Sequence, residues 1–313
     1  MIYIIGHVKP DLDSAVSAVA LKYLFNNVSC FERTNSTPVL ASNANFETTK
    51  MFEKFKVDLP KTLASEQINK KDTFVLVDHN EISQRLTGIT DDQVTDIFDH
   101  HKINLKTTKP IFITIKPWGS SSTLCWWWME VSNLKPDKSL AGLMMAAIIS
   151  DTSGFKSPTT TETDKKAFKD LNKIAKIADI EKLTLDIFKA KSYIGNLSDQ
   201  QILLKDYKIY DFTGKKVLIN QLETVLQDDL LKKTDVFINE LIKIKTNMKL
   251  DHAFCLITDV LKLNSKCFVT VKDEPLLQKS FPKAKNIKKG VYDLGPIMSR
   301  KKEVAPAVEK ALV

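Results

Sequence analysis

Glycine is scarce in this chain, at 9 of 313 residues, less than half of the roughly 7% usual in globular proteins. Neither a GxGxxG nor a GxxxxGKS/T pattern occurs, so a phosphate ligand would have to be held by metal ions and cationic side chains instead of a glycine-rich cradle. The four cysteines, Cys30, Cys125, Cys255 and Cys267, lie far apart without CxxC spacing. That excludes a zinc knuckle and a thioredoxin-type motif and leaves free, mostly buried thiols. Arginine is nearly missing too: the 46 basic residues include only Arg33, Arg85 and Arg300. Bidentate base readout leans on arginine, so the net charge of +8 reads as lysine usage, and nucleic acid is not expected as a partner. The longest apolar run, Ala141 to Ile149, falls short of the roughly 20 residues of a membrane helix and reads as a buried helix segment. Met1 leads straight into Ile2-Tyr3-Ile4-Ile5 without the features of a secretory signal, so the expected location is cytoplasmic.

What the chain does have is enough apolar material, 43% hydrophobic against 27% charged residues, for two domains with separate cores, which rules out disordered and collagen-like classes. From Asp199 onward basic residues exceed acidic ones by six, against two before it, so the second half is the cationic half. Ile2 to Ile5, Val28 to Phe31, Phe74 to Val77, Asp96 to Phe98 and Ile111 to Ile115 read as strands. Helices are expected at Ser14 to Phe25, Phe46 to Phe55, Ser121 to Val131, Ser139 to Ser150 and Thr163 to Ala178, with Ser14, Ser139 and Thr163 as caps. This alternation predicts an α/β fold, an N-terminal doubly wound, mainly parallel sheet whose ligands gather at the carboxyl ends of its strands. After residues 1–190, the Gly, Asn and Ser of 191–198 read as a linker. Residues 199–313 are expected to form a second, smaller α+β domain, with strands at Lys216 to Leu222, His252 to Thr258 and Lys266 to Val271 and a long helix from Val225 to Met248.

Four of the five histidines stand in three aspartate-rich segments at predicted strand ends: Gly6-His7-Val8-Lys9-Pro10-Asp11-Leu12-Asp13-Ser14, Val77-Asp78-His79-Asn80-Glu81 and Asp99-His100-His101. Ser150-Asp151-Thr152 ends an apolar helix. Taken singly, Asp11 and Asp13 read equally as turn and capping residues, and His79 or His100 as a core histidine. Taken together they converge on one sheet edge. Imidazole plus several carboxylates suits a borderline divalent ion such as Mn²⁺, Co²⁺, Fe²⁺ or Zn²⁺, and six donors exceed the needs of one ion. Two such ions can clamp the oxygens of an in-line phosphoryl displacement.

GHVKPDLDS, VDHNE, DHH and SDT, in this order, resemble the phosphoesterase superfamily named after its Asp-His-His motif. Ser150-Asp151-Thr152-Ser153-Gly154-Phe155-Lys156-Ser157-Pro158-Thr159 is similar to the manganese-dependent, family II inorganic pyrophosphatases in particular. In the second half, Asp206-Tyr207-Lys208-Ile209-Tyr210, Gly214-Lys215-Lys216-Val217, Gln221-Leu222-Glu223-Thr224 and Ser299-Arg300-Lys301-Lys302-Glu303 resemble the same family's DHHA2-type domain. The resemblance implies a catalytic metal-binding domain in residues 1–190 and a substrate-binding domain in residues 199–313. It implies that His7, Asp11, Asp78 and Asp151 hold one metal and Asp13, Asp78, His100 and Asp151 the other. It further implies that His101 faces the substrate phosphate, and that Lys208, Arg300 and Lys301 neutralise it. The cofactors implied are two Mn²⁺ (or Co²⁺) per chain, with additional Mg²⁺ or Mn²⁺ arriving with pyrophosphate, and the assembly implied is a homodimer through the N-terminal domain. Hydrolysis of pyrophosphate by a metal-bridged hydroxide is the expected activity. The alternatives are an exopolyphosphatase or other small phosphoanhydride hydrolase, and a basic nucleic-acid-binding protein without catalysis.

Three departures stand out: Lys9 and Leu12 where the family usually has Asn and Thr, and Glu303 where its signature ends in Gln. Trp126-Trp127-Trp128 cannot share one helix face, so core plus an interface is expected. The lysine-rich stretch Lys283 to Lys289 reads as a solvated loop.

Overall fold

The apolar runs of the first half become the strands of a parallel sheet, and the polar residues that follow each run are left at its carboxyl edge. The computed structural model describes residues 1–312, which divide into two units, Met1–Ala190 and the chain from Lys191 onward. In the first, β1 (Ile2–Ile5), α1 (Leu12–Asn27), β2 (Ser36–Val39), α2 (Phe46–Phe55), β3 (Thr73–Val77), β4 (Val94–Asp99) and β5 (Phe112–Ile115) are followed by α3 (Ser121–Val131), α4 (Lys138–Asp151), α5 (Glu162–Ala175) and α6 (Ile180–Lys191). All neighbouring strands are parallel, in the order β2-β1-β3-β4-β5. The order reverses between β1 and β3, and a doubly wound sheet opens its ligand crevice at such a point. Helix α4 is buried on every side from Leu140 to Ser150, as its featureless apolar sequence requires.

Several expectations need correction. Val28 to Phe31 is not a strand: Ser29–Phe31 forms one 3₁₀ turn after α1, with the Phe31 ring anchored on Phe25 and Trp128 at centroid distances of 5.1 and 5.2 Å. The strand beside β1 is Ser36–Val39, whose Pro38 lacks an N–H and is tolerated because β2 lies at the edge of the sheet. The helix caps are Asp11, Asp137 and Thr161, not Ser14, Ser139 and Thr163. Their side chains accept from the N–H groups of Ser14, Leu140 and Asp164, because a cap serves the residue three places on.

The second unit contains α7 (Asp199–Leu203), β6 (Tyr207–Phe212), β7 (Lys215–Thr224), α8 (Gln227–Leu231), α9 (Thr234–Asn247), β8 (His252–Asp259), β9 (Asn264–Val269), α10 (Glu274–Ser280), β10 (Lys285–Lys288), β11 (Val291–Gly295), a π-helical turn (Arg300–Val304) and α11 (Ala305–Leu312). Ser192 to Ser198 carries neither helix nor strand. The sheet runs β10-β11-β9-β8-β7-β6 and is mixed, with only β7 and β8 parallel. Residues alternate faces along each inner strand: Leu218, Ala253, Cys255, Ile257 and Phe268 join one core, and Val217, Ile219, Phe254, Leu256, Cys267 and Val269 the other. Helices therefore cover both faces, which explains strands that read as unbroken apolar runs.

The expected single helix from Val225 to Met248 is two, α8 and α9, and the Thr234 hydroxyl bonds the Leu231 carbonyl at the break, at 2.6 Å. Lys283 to Lys289 is not a loop either, since it contains β10, an edge strand exposed throughout. Lysines on an edge strand keep other strands from adding to it. The aromatic run divides as expected for its core part. Trp126 is buried under Lys166 Nζ, 4.5 Å from its ring centroid, Trp127 meets Trp118, and Trp128 meets Phe31 and Phe112.

Candidate metal centre

His7 follows β1, Asp78 follows β3, and Asp99 ends β4 with His100 and His101 directly after it. The parallel register places Ile5 opposite Leu76 and Val77 opposite Phe98, so these side chains emerge at one edge. Asp11 and Asp13 join them from the start of α1, and Asp151 from the end of α4. Gly6 makes the approach possible: a Cβ there would lie 1.8 Å from Ser14 Oγ.

Three groups of donor atoms each lie within 4.8 Å of one another: His7, Asp11 and Asp78; Asp13, His100 and Asp151; and Asp78, His100 and His101. Asp78 is thus the shared carboxylate, whereas Asp151 groups with Asp13 and His100. The rings are oriented by carbonyls, which can only accept. His7 Nδ1 donates to Val8 O at 2.9 Å and His100 Nδ1 to Trp118 O at 2.8 Å. Each Nε2 is thereby turned toward carboxylates, 3.6 Å from Asp11 and 3.5 Å from Asp78 for His7, and 3.2 Å from Asp78 and 3.4 Å from Asp151 for His100. These separations exceed the roughly 2.7–2.9 Å of a charge-assisted hydrogen bond, as expected of donors that face a common cation.

The carboxylates are held from behind. Asp11 caps α1 with Oδ1, accepting from Ser14 N at 2.9 Å, and turns Oδ2 to His7. Capping and ligation are therefore compatible readings of one side chain. Buried Asp13 accepts from Ser120 Oγ at 2.7 Å, Ser121 N at 2.6 Å and Ser122 N at 2.9 Å, at the start of α3. Ser121 Oγ donates to Asp78 Oδ1 at 2.9 Å. Sequence reasoning missed these serines, although Ser-Ser-Ser-Thr opening a predicted helix is a sign of a polar helix terminus. Asp78 itself has φ 62°, a left-handed conformation that Asp tolerates better than most residues.

Such crowding of carboxylates demands positive charge. Burial opposes ionisation of His7, yet the neighbouring Asp11 and Asp78 carboxylates push it up to about 11. His100 is likewise raised to about 10 against its burial, by Asp78 first and then Asp13 and Asp151. Burial and the Asp13 and Asp78 charges raise Asp151 to about 9, while burial and Asp78 raise Asp13 to about 6. Asp78 stays far below the usual carboxylate range despite burial, because the His100 and His7 imidazoles stand beside it. The N/O donor set, its orientation and this demand for cations together fit a divalent ion of the manganese type.

His101 is set apart. Its Nδ1 bonds Asp99 Oδ1 at 2.9 Å, which raises its pKa, and Asp99 is itself held by Asn80 Nδ2 at 2.6 Å. With its ring half exposed, it lines a cavity of about 540 Å³ together with His100, Lys102, Trp118, Asp151 and Thr160. His79 is buried beside His7 and held neutral by that burial, down to about 4, outside the donor groups. In the second unit Lys208 lies exposed on β6, Arg300 opens the π-helical turn, and Lys301 follows it, exposed. Glu303 Oε2 accepts from both Met298 N and Ser299 N, at 2.9 and 2.8 Å. A single carboxylate oxygen suffices for both, so the Gln-to-Glu departure leaves this loop intact. Lys9 is exposed with φ 56°, and buried Leu12 packs into the core.

Comparison with known proteins agrees with the two-unit architecture. Residues 1–148 match the DHH family N-terminal domain and residues 185–311 the DHHA2 domain. The chain is 38% identical to a manganese-dependent inorganic pyrophosphatase of Methanocaldococcus jannaschii, covering 99% of each protein. It is 36% identical to one of Methanothrix thermoacetophila, covering 99% of this chain and 98% of that one. A crystal structure described as a family II inorganic pyrophosphatase of Methanococcus jannaschii superposes with a TM-score of 0.65 at 35% identity, covering 99% of both chains. With full-length relatives at this identity and both domain types present in order, the chain belongs to the manganese-dependent, family II inorganic pyrophosphatases.

Proposed function

We propose that this chain hydrolyses inorganic pyrophosphate to two phosphates at the carboxyl edge of its parallel sheet. The observation that carries the reading is the run of three overlapping Asp/His donor groups, two of which share Asp78 and two His100. On this reading His7, Asp11, Asp78 and Asp151 hold one Mn²⁺, and Asp13, Asp78, His100 and Asp151 a second. Co²⁺ suits the same donors, and Mg²⁺ or Mn²⁺ enters with the substrate. When bound, such ions lower the pKa of water and draw charge from phosphoryl oxygens.

The side chains supply the rest. His101 is tied through Nδ1 to Asp99, which leaves Nε2 to meet a phosphate oxygen. Lys208 and Lys301 are exposed ammonium groups, and Arg300 offers a planar fork that matches a pair of phosphate oxygens. They offset charge on the leaving phosphate, the main demand in phosphoryl transfer. Among the described residues no helix is long and apolar enough to cross a membrane. The four unpaired cysteines support a reducing, cytoplasmic setting. A homodimer through the N-terminal domain is supported by β5, an edge strand whose Phe112 and Ile113 are 39% and 44% exposed. Such an edge invites pairing with a second copy.

The test is phosphate release from pyrophosphate, tripolyphosphate, long-chain polyphosphate and ATP, each with Mn²⁺, Co²⁺ or Mg²⁺. Pyrophosphate with Mn²⁺ should give the highest kcat/KM. A preference for the longer chains would assign an exopolyphosphatase instead. RNA binding without any metal-dependent phosphate release would favour the basic nucleic-acid-binding alternative.

A further inference from the structure

Arg300 is anchored at both ends, and both anchors lead to Gln221 and Asp206. Its backbone N–H donates to Gln221 Oε1 at 2.8 Å. The other end of that amide, Nε2, donates to Met298 O at 2.9 Å and to Thr258 Oγ1 at 3.0 Å. Gln221 thus grips the chain on both sides of Ser299. Its own N–H donates to Asp206 O at 3.2 Å, the carbonyl that also accepts from Arg300 Nη1, while Nη2 reaches Asp206 Oδ1 at 3.0 Å. The backbone and the guanidinium of Arg300 are therefore both referred to one corner of the sheet, where Lys208 stands two residues beyond Asp206.

An arginine carries considerable rotamer entropy, which a free side chain would lose only when it meets its ligand. Here that ordering is largely complete beforehand, the condition under which a charged contact contributes most to a reaction. The guanidinium has five N–H donors; its two bonds to Asp206 leave one N–H on each Nη, besides the buried Nε, which has no partner. The Nη edge of the fork is therefore still open to an anion. Gln221 is itself buried, and a buried amide with its bonds filled fixes a unique arrangement in a way that an apolar side chain does not.

We propose that Gln221 is a positioning residue for Arg300. It acts through the backbone of the Met298 to Arg300 segment, with Asp206 completing the alignment of the guanidinium. The inference rests on the reading that Arg300 meets the substrate phosphate, and a double-mutant cycle separates the two. Pyrophosphate hydrolysis and bound manganese are measured for the full chain, Gln221→Ala, Arg300→Ala and the double variant. Arg300→Ala should lower kcat/KM about a hundredfold and Gln221→Ala about tenfold, while the double variant should fall within about twofold of Arg300→Ala alone. Manganese content should not change. A tenfold loss from Gln221→Ala in both backgrounds, or none in either, would overturn the positioning role. Wild-type rates in Arg300→Ala would instead overturn the reading of Arg300. If the alanine variant does not fold, Gln221→Glu takes its place in the cycle, because it keeps the acceptor for Arg300 N–H but loses the donor to Met298. It should then cost about threefold or more with Arg300 present and nothing without it; an equal loss in both backgrounds would sink the proposal.

Discussion

Lys9 shows how a single backbone angle can explain a residue preference. It sits at φ 56°, exposed, and its N–H donates to Ser42 Oγ at 3.2 Å. Asn enters this left-handed region more readily than a long side chain, which gives a conformational reason for Asn at this place in the family. An exposed ammonium is screened over roughly 8 Å at physiological ionic strength. Lys9→Asn should therefore raise stability by roughly 0.5 kcal/mol and change the Mn²⁺ dissociation constant by less than about threefold, or roughly 0.7 kcal/mol. Isothermal titration with Mn²⁺ decides the point, since a tenfold tightening would mean that the charge reaches the metal centre. The histidines and aspartates were legible in the sequence because they follow apolar runs in a parallel alternation. Ser120 to Ser122, which hold Asp13, were not, because only the packing of α3 against α1 brings them together.

At the scale of elements, the first turn of α5 does more than start a helix. Asp164 is buried and accepts from Thr161 N at 2.7 Å, Thr161 Oγ1 at 2.6 Å and Thr123 Oγ1 at 2.7 Å, and from Gly119 N at 2.9 and 3.0 Å. It thereby ties α5 to the segment that opens α3, next to the serines around Asp13. Removing it leaves buried donors without acceptors, so Asp164→Ala should cost about 2–4 kcal/mol in urea unfolding. A loss under about 1 kcal/mol would show that the network is replaced by water. The helix pattern in the sequence located α5 within a few residues but could not reveal this link, since Thr163 reads as the cap and only the tertiary packing brings Asp164 to Gly119 and Thr123. Pro38 hid β2 for a related reason: its penalty applies to inner strands, and strand order is a tertiary property. The β10 segment, all exposed and rich in lysine, reads as a loop because an edge strand needs no apolar face.

On the scale of the whole molecule, the two units have separate cores and separate sources of pH dependence. In the second, Asp273 is buried and bonded by Lys245 Nζ at 2.7 and 2.9 Å, His252 Nδ1 at 2.9 Å and Thr270 Oγ1 at 2.7 Å. Burial alone would raise its pKa, but these bonds hold it below the ordinary 3.8. A carboxylate depressed in the folded state stabilises it fully above its unfolded pKa, and the contribution is lost as pH falls through the folded value. Stability should therefore drop below about pH 4, and Asp273→Asn should flatten that acid limb while lowering stability at pH 7. All four tryptophans lie in the first unit, at positions 118 and 126 to 128. Circular dichroism should register the change while tryptophan fluorescence follows the first unit separately. An unchanged acid limb in Asp273→Asn would assign the pH dependence elsewhere.

The central claim, that a shared carboxylate organises two ions for pyrophosphate hydrolysis, is tested most directly by bound manganese and phosphate release measured on the same samples. Chelated enzyme should be inactive and regain activity in step with two Mn²⁺ per chain, whereas Asp78→Ala should bind fewer than two and stay inactive, because two of the three donor groups contain Asp78 and the third, Asp13, His100 and Asp151, shares His100 with one of them. Asp78→Ala with two ions and a near-normal rate, or full activity in chelated enzyme, would contradict the account.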